Sequence, residues 1–217
     1  MKFKLLILVF FCLFVFSADK TNAKINFPLH NKIIIIDAGH GGLDGGTSKA
    51  GIQEKDINLA IALYLEKELN KKGATVIMTR SGDYDLSFPN ATWRKKSDFD
   101  NRINLINNSK ANLYVSIHLN AIPQTEYSGA QVFYSKRVER NKQIAEIIQK
   151  TLNKELKNDR LAMRIPTDTY MYSRLNPPGV LIECGFLSNA SERAKLKTSE
   201  YQKKLAEVIT RGIIRAI

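Results

Sequence analysis

KIIIIDAGHGGLDGG, residues Lys32 to Gly46, sets four isoleucines in a row and then ends them on an aspartate, a histidine and a cluster of glycines. An unbroken apolar run of strand length, bounded by turn residues, suits a strand buried on both faces, and such strands belong to parallel sheets covered by helices. The histidine plays no part in that requirement. It needs an explanation of its own.

Working outward, further strands are expected over Thr75–Thr79 (TVIMT), Leu113–His118 (LYVSIH), Ala130–Tyr134 (AQVFY) and Val180–Cys184 (VLIEC). Helical periods fall between them. INLAIALYLEKELNKKG, beginning after Glu54 and closing at Gly73, carries an apolar stripe through Ile61, Leu65 and Leu69, with Leu59 and Leu63 beside it, and ends in a glycine C-cap. Other helices are expected over Asp98–Asn107, Val138–Leu156 and Ser199–Ile214. The alternation predicts an α/β fold: a single domain with a twisted, mostly parallel sheet flanked by helices on both faces. The stretch from Asn158 to Pro178 is the least regular and reads as a surface loop.

The first residues follow another logic. Lys2 and Lys4 precede LLILVFFCLFVF, Leu5 to Phe16, and the polar SADKTNA with its small residues follows. A basic start, a short apolar run and a small-residue exit describe a signal peptide. The run is short for a full span of about 20 residues, although an uncleaved anchor would have the same form. Residues 1–23 are therefore expected to be a signal peptide or N-terminal anchor, providing export and the only membrane contact, and residues 24–217 to be the folded domain. Outside that leader the sole cysteine is Cys184, which excludes an internal disulfide and a cysteine-rich metal site.

The formal charge is +12. In an exported protein a basic surface suits a polyanionic or carboxylate-rich matrix such as a cell wall. No helix-turn-helix, RRM or zinc-finger pattern is present and the lysines are spread along the chain, so nucleic acid is not the expected partner.

In an open α/β sheet, ligands bind beyond the carboxyl ends of the strands. His40 follows the first strand, His118 ends the third in SIHLNA, and Glu183 lies near the end of VLIEC. Glu54 is returned towards His40 by the loop from Gly39 to Gln53. Two of the chain's three histidines thus gather at strand ends beside two carboxylates. Two imidazoles and one carboxylate with an open position form the ligand set of catalytic zinc. The same set serves non-haem iron, usually on a β-barrel. A dinucleotide fingerprint fails because Asp44 stands at its third glycine, and no P-loop octet exists. Asn120 and Arg102 are candidate substrate contacts.

IIIIDAGHGG, the Glu54 of GIQEKDINLAIA, SIHLNA and ECGFLSN, in this order and spread over nearly all of the chain after the leader, resemble the zinc-dependent N-acetylmuramoyl-L-alanine amidases of the amidase-3 family. MTRSGDYDL, SIHLNAIP and YSGAQVFY look most like its germination-specific branch, which acts on the spore cortex. The resemblance implies a Zn²⁺ site of His40, Glu54 and His118, with Glu183 as the catalytic carboxylate. It implies a peptidoglycan substrate, with hydrolysis of the amide between the lactyl group of muramic acid and L-alanine. In the spore this step precedes muramic-δ-lactam formation, placing the enzyme in the cell wall or the spore intermembrane space. Some relatives work only with a lipoprotein partner, so an activating partner of that kind is left open. Cys184 alternates with Glu183 along its strand and is expected in the core.

Overall fold

The computed structural model describes residues 27–217, so the leader lies outside the described residues. In chain order the elements are β1 (Ile33–Ala38), β2 (Ser48–Lys49), β3 (Ile52–Gln53), α1 (Glu54–Lys71), β4 (Thr75–Met78), α2 (Arg94–Asn108), β5 (Leu113–Asn120), β6 (Gln131–Tyr134), α3 (Arg140–Leu156), β7 (Met163–Arg164), β8 (Gly179–Phe186), α4 (Ala190–Leu196) and α5 (Ser199–Ala216). None of the described helices is long and apolar enough to cross a membrane.

The main sheet has the order β4-β1-β5-β8-β6-β7. β4, β1, β5 and β8 are parallel, and β6 turns back antiparallel to β8 with β7 alongside it. The chain leaves β1 for β4 on one side and then crosses to β5 on the other. Right-handed crossovers in opposite directions place α1 and α2 on opposite faces. The strand order therefore reverses between the carboxyl ends of β1 and β5, where a ligand crevice is expected.

The two faces of the sheet differ in chemistry. Ile34, Ile36, Val115, Ile117, Val180 and Ile182 belong to one large buried cluster with side chains of α1, α3 and α5. Each such side chain, fully buried, contributes about 1.5–3 kcal/mol. Ile61, Leu65 and Leu69 are the buried stripe of α1, and Leu59 and Leu63 are half-buried beside it. Cys184 is fully buried in this same cluster, as its alternation implied. The other face carries Ile35, Asp37, Tyr114, Ser116, His118, Leu181 and Glu183. It is covered by α2 and, instead of a second helix, by the segment leading into β8, which packs Met171 and Leu175 against Ile35, Tyr114 and Ile106.

The stretch 158–178 is a surface loop without regular structure apart from β7, and its buried Met171 and Leu175 make it a wall of the molecule as well. Its apolar residues are too irregularly spaced to show a period. α2 begins at Arg94, four residues before the expected start, because its first turn, RKKS, presents no apolar stripe. α4 was not expected either. Its signal is the Asn189 cap, whose side chain accepts from the Glu192 backbone N–H.

Candidate metal centre

His40 sits in the turn after β1 with φ of +62°, a left-handed conformation that side chains other than glycine adopt at some cost. Reciprocal backbone bonds between Gly41 and Asp44, at 2.9 and 3.0 Å, close the turn beyond it. Two buried arginines hold its carbonyls. Arg80 donates Nε to Ala38 O (2.9 Å) and Nη2 to Gly39 O (2.9 Å). Arg102 donates Nη1 to Ala38 O (2.9 Å) and Nη2 to His40 O (2.7 Å).

Arg102 is 2% exposed, and it also reaches Asp37 at 2.7 Å and Asp98 at 3.0 Å. Four of its five N–H groups are taken by two carboxylates and two backbone carbonyls, so the candidate substrate contact is first of all a brace for the turn. Asp37 also accepts from Thr79 Oγ1 at 2.9 Å and Ser116 Oγ at 2.6 Å. Burial pushes the Asp37 carboxyl up, but Arg102 and Ser116 prevail and hold it below its ordinary value. This explains the aspartate that ends the isoleucine run.

Glu54 opens α1 and is 3% exposed. Its Oε1 lies 3.3 Å from His40 Nε2 and 3.1 Å from His118 Nδ1, and the three potential ligand atoms all fall within 4.8 Å of one another. A tetrahedral shell with bonds of about 2.0–2.1 Å would place ligand atoms roughly 3.3 Å apart, a spacing that the two histidine–glutamate pairs already have, so the donor set fits zinc. Burial pushes the Glu54 carboxyl up, but its bonds to His118 and His40 outweigh that and hold it well below the carboxylate range. Thr47 N (2.9 Å), Leu119 N (3.0 Å) and Asn58 Nδ2 (3.2 Å) donate to it as well.

Each histidine has a group on its far nitrogen. His40 Nδ1 lies 2.9 Å from Asp44 Oδ2, an arrangement that orients Nε2 towards Glu54. The Tyr172 hydroxyl lies 3.5 Å from His118 Nε2 and 3.1 Å from Ser116 Oγ. Neither Asp44 nor Tyr172 was singled out from the sequence. Asp44 had a signal, four residues after His40 in HGGLD, but Tyr172 lies in the stretch read as a surface loop.

Glu183 pairs with His118 in register across β5 and β8, so both side chains rise from one rung on the same face. Its Oε2 is buried without a hydrogen-bond partner. Burial pushes its carboxyl up to about 7, with Glu54 adding to the shift and His118 and His40 opposing it. A carboxylate this poorly satisfied, beside a ligand cluster, is poised to accept a proton. A cavity of about 130 Å³, lined by His40, His118, Phe99, Tyr170, Met171 and Tyr172, opens beside the three ligand residues.

A backbone contact makes the site sensitive. A Cβ at Gly39 would run into the ring of His118. Gly39→Ala is therefore expected to displace that ring and weaken metal binding at least tenfold, with secondary structure intact. Zinc titration against a chromogenic chelator, alongside circular dichroism, checks it.

The fold and this set define an α/β amidase of the bacterial wall: the family model for N-acetylmuramoyl-L-alanine amidases, Amidase_3, matches residues 34–215, and the chain belongs to that family. Its reaction is hydrolysis of the N-acetylmuramoyl-L-alanine amide of peptidoglycan. The chain is 44% identical over 215 residues to the germination-specific N-acetylmuramoyl-L-alanine amidase of Bacillus subtilis (strain 168), covering 97% of this chain and 90% of that one. Among solved structures it is similar to the CwlD amidase from Clostridioides difficile in complex with the GerS lipoprotein. That match has 43% identity and a TM-score of 0.80, over 86% of this chain and 98% of the other. It also resembles the catalytic domain of the amidase CwlV from Bacillus (Paenibacillus) polymyxa var. colistinus, at 31% identity and a TM-score of 0.73, over 85% of this chain and 97% of that one.

Proposed function

We propose that the chain is a zinc-dependent amidase of the spore cortex, in which His40, Glu54 and His118 hold the metal and Glu183 is the catalytic carboxylate. One observation carries the reading: His40 Nε2, Glu54 Oε1 and His118 Nδ1 converge while the unpartnered buried oxygen of Glu183 stands on the rung of His118. Zinc in such a set supplies Lewis acidity, activating a water nucleophile and polarising the scissile carbonyl. Glu183 accepts the proton of the attacking water and returns it to the departing nitrogen of L-alanine, a role worth roughly 10²–10⁴ in rate. Asp44 and Tyr172 keep the two imidazoles in orientation.

The germination-specific relative supports cortex peptidoglycan as the substrate, with removal of the stem peptide as the step before muramic-δ-lactam formation. The leader, residues 1–23, would export the catalytic domain, residues 24–217, to the spore intermembrane space or wall. The relative solved with a lipoprotein supports a partner of that class for this chain.

Two measurements test this. Full-length protein with zinc should release peptide from purified cortex, leaving peptide-free muramic acid, and do so faster than from vegetative wall. Absence of peptide-free muramic acid rules the activity out, and equal rates on both walls remove the cortex assignment. Wild-type protein should bind one zinc per chain, and His40→Ala, Glu54→Ala and His118→Ala should each lose most of it. Equal zinc in all four proteins by elemental analysis would sink the ligand assignment.

A further inference from the structure

The two flanks of the metal centre are chemically unlike. On the α2 side lies the cavity walled by Phe99, Tyr170, Met171 and Tyr172, with Asp44 and Asp98 also on its lining. That side offers apolar surface and carboxylates; the arginine on it, Arg102, is consumed by Asp37 and Asp98.

The opposite side extends the rung of His118 and Glu183 onto β6. Gln131 pairs in register with Glu183, so its side chain rises on the same face as the catalytic carboxylate. Gln131 Nε2 donates to Leu161 O at 2.9 Å, and its Oε1 accepts from Arg160 Nη2 at 3.2 Å. The Arg160 guanidinium lies 5.1 Å from the ring centroid of Phe186 and 5.3 Å from that of Tyr127. Its Nε is buried without a hydrogen-bond partner.

Arg160 is fixed otherwise than the arginines that pair with carboxylates, and, unlike Arg80, it is not spent on backbone carbonyls. Arg94, Arg102, Arg211 and Arg215 each sit against a carboxylate at 2.6–3.4 Å. Among the described residues Arg160 has no carboxylate at ion-pair distance. It is held in one place by two aromatic rings and a glutamine, as a rigid cation with donors to spare. A guanidinium so prepared matches a carboxylate, the planar partner of its donor fork.

On the amidase reading above, the substrate has two halves of different charge. The glycan half presents a lactyl group, an N-acetyl group and sugar rings, all uncharged. The peptide half continues from L-alanine into an acidic residue whose α-carboxyl is free in some peptidoglycans and amidated in others. The geometry points to a carboxylate-binding subsite at Arg160 and Gln131, which takes this α-carboxylate and lays the stem peptide across β6. The glycan then lies towards the Phe99–Tyr170 cavity, whose aromatic walls suit its uncharged rings.

The test uses the full-length, zinc-loaded protein and two soluble substrates, N-acetylmuramoyl-L-alanyl-γ-D-glutamyl-L-lysine and its counterpart amidated at the D-glutamyl α-carboxyl, so that only that carboxyl differs. The wild type should cleave the free acid with a kcat/KM at least tenfold higher, expressed mainly in KM, as expected for loss of a charge-assisted bond. Arg160→Ala should bring the ratio to about one by lowering the value for the acid. Arg160→Lys should restore part of it, since it keeps the charge and loses the fork. A wild type that cleaves both substrates equally overturns the subsite and leaves the amidase reading standing. A variant that loses acid and amide alike overturns it too. If Arg160→Ala does not fold, the wild-type ratio decides alone. If the wild type cleaves neither substrate, the amidase reading falls and the subsite with it.

Discussion

Glu183→Gln should abolish amidase activity by two to four orders of magnitude while the protein stays folded and keeps its zinc. Glutamine preserves the shape of the side chain but cannot take a proton from water, so the loss is that of a general base. Glu183 is not among the three residues whose ligand atoms converge, so zinc content should be unchanged. A second effect separates the variant from a merely damaged protein. Burial raises the Glu183 carboxyl from 4.5 to about 7, so between those pH values the folded chain holds a proton that the unfolded chain has released. Stability therefore falls as pH rises through that window and is level above it. Glutamine carries no such penalty. With chelator present, Glu183→Gln should be more stable than wild type at pH 8 by up to about 3 kcal/mol and no more stable at pH 4. Urea titrations at the two pH values read this directly. Retained activity in the variant would exclude Glu183 as the base.

Arg102→Met should cost about 3–5 kcal/mol, because it leaves Asp37 and Asp98 as buried carboxylates without their cation. For a domain of this length that lowers the melting temperature by roughly 10 °C. The sign of its pH dependence is diagnostic. In the wild type the Asp37 carboxyl is held below its ordinary 3.8, so its contribution is present above that value and lost as pH falls through the lowered one. Without Arg102 burial prevails, the carboxyl rises, and the variant should recover relative stability on acidification. The lost bonds to Ala38 O and His40 O also release the His40 turn, so zinc affinity should fall with stability. A melting temperature within 2 °C of wild type would show that the brace carries little.

The parts of this molecule legible from sequence are those with a period or a rare residue. The isoleucine run and VLIEC were readable as strands because β-branched side chains filled them, and α1 and α5 because one face of each is apolar. His40, His118 and Glu183 were readable because reactive side chains stand where strands end, and the structure brings them together with Glu54. What was hidden depends on distant partners. Nothing in the local pattern around Arg102 says that its guanidinium runs under the β1 turn, since Asp37 lies 65 residues away. Tyr172 and Met171 were hidden for a related reason: a segment that covers a sheet without helix or strand has no spacing to detect. The reversed direction of β6 was equally silent, because an isolated strand of four residues reads the same in either direction.

The shared rung of His118, Glu183 and Gln131 gives the site a built-in ruler. Neighbouring strands stand about 4.7–4.9 Å apart, a spacing set by the peptide hydrogen bond and not by any side chain. The backbone distances from metal ligand to base, and from base to the glutamine beyond, are multiples of that length and cannot drift without tearing the sheet. His40 and Glu54 are mounted otherwise, on a left-handed turn and at the first residue of a helix. Half of the centre is therefore stiff by construction and half is compliant. The compliant half is clamped through the carbonyls that Arg80 and Arg102 grip, so the alignment of the whole centre is decided well away from the atoms that react.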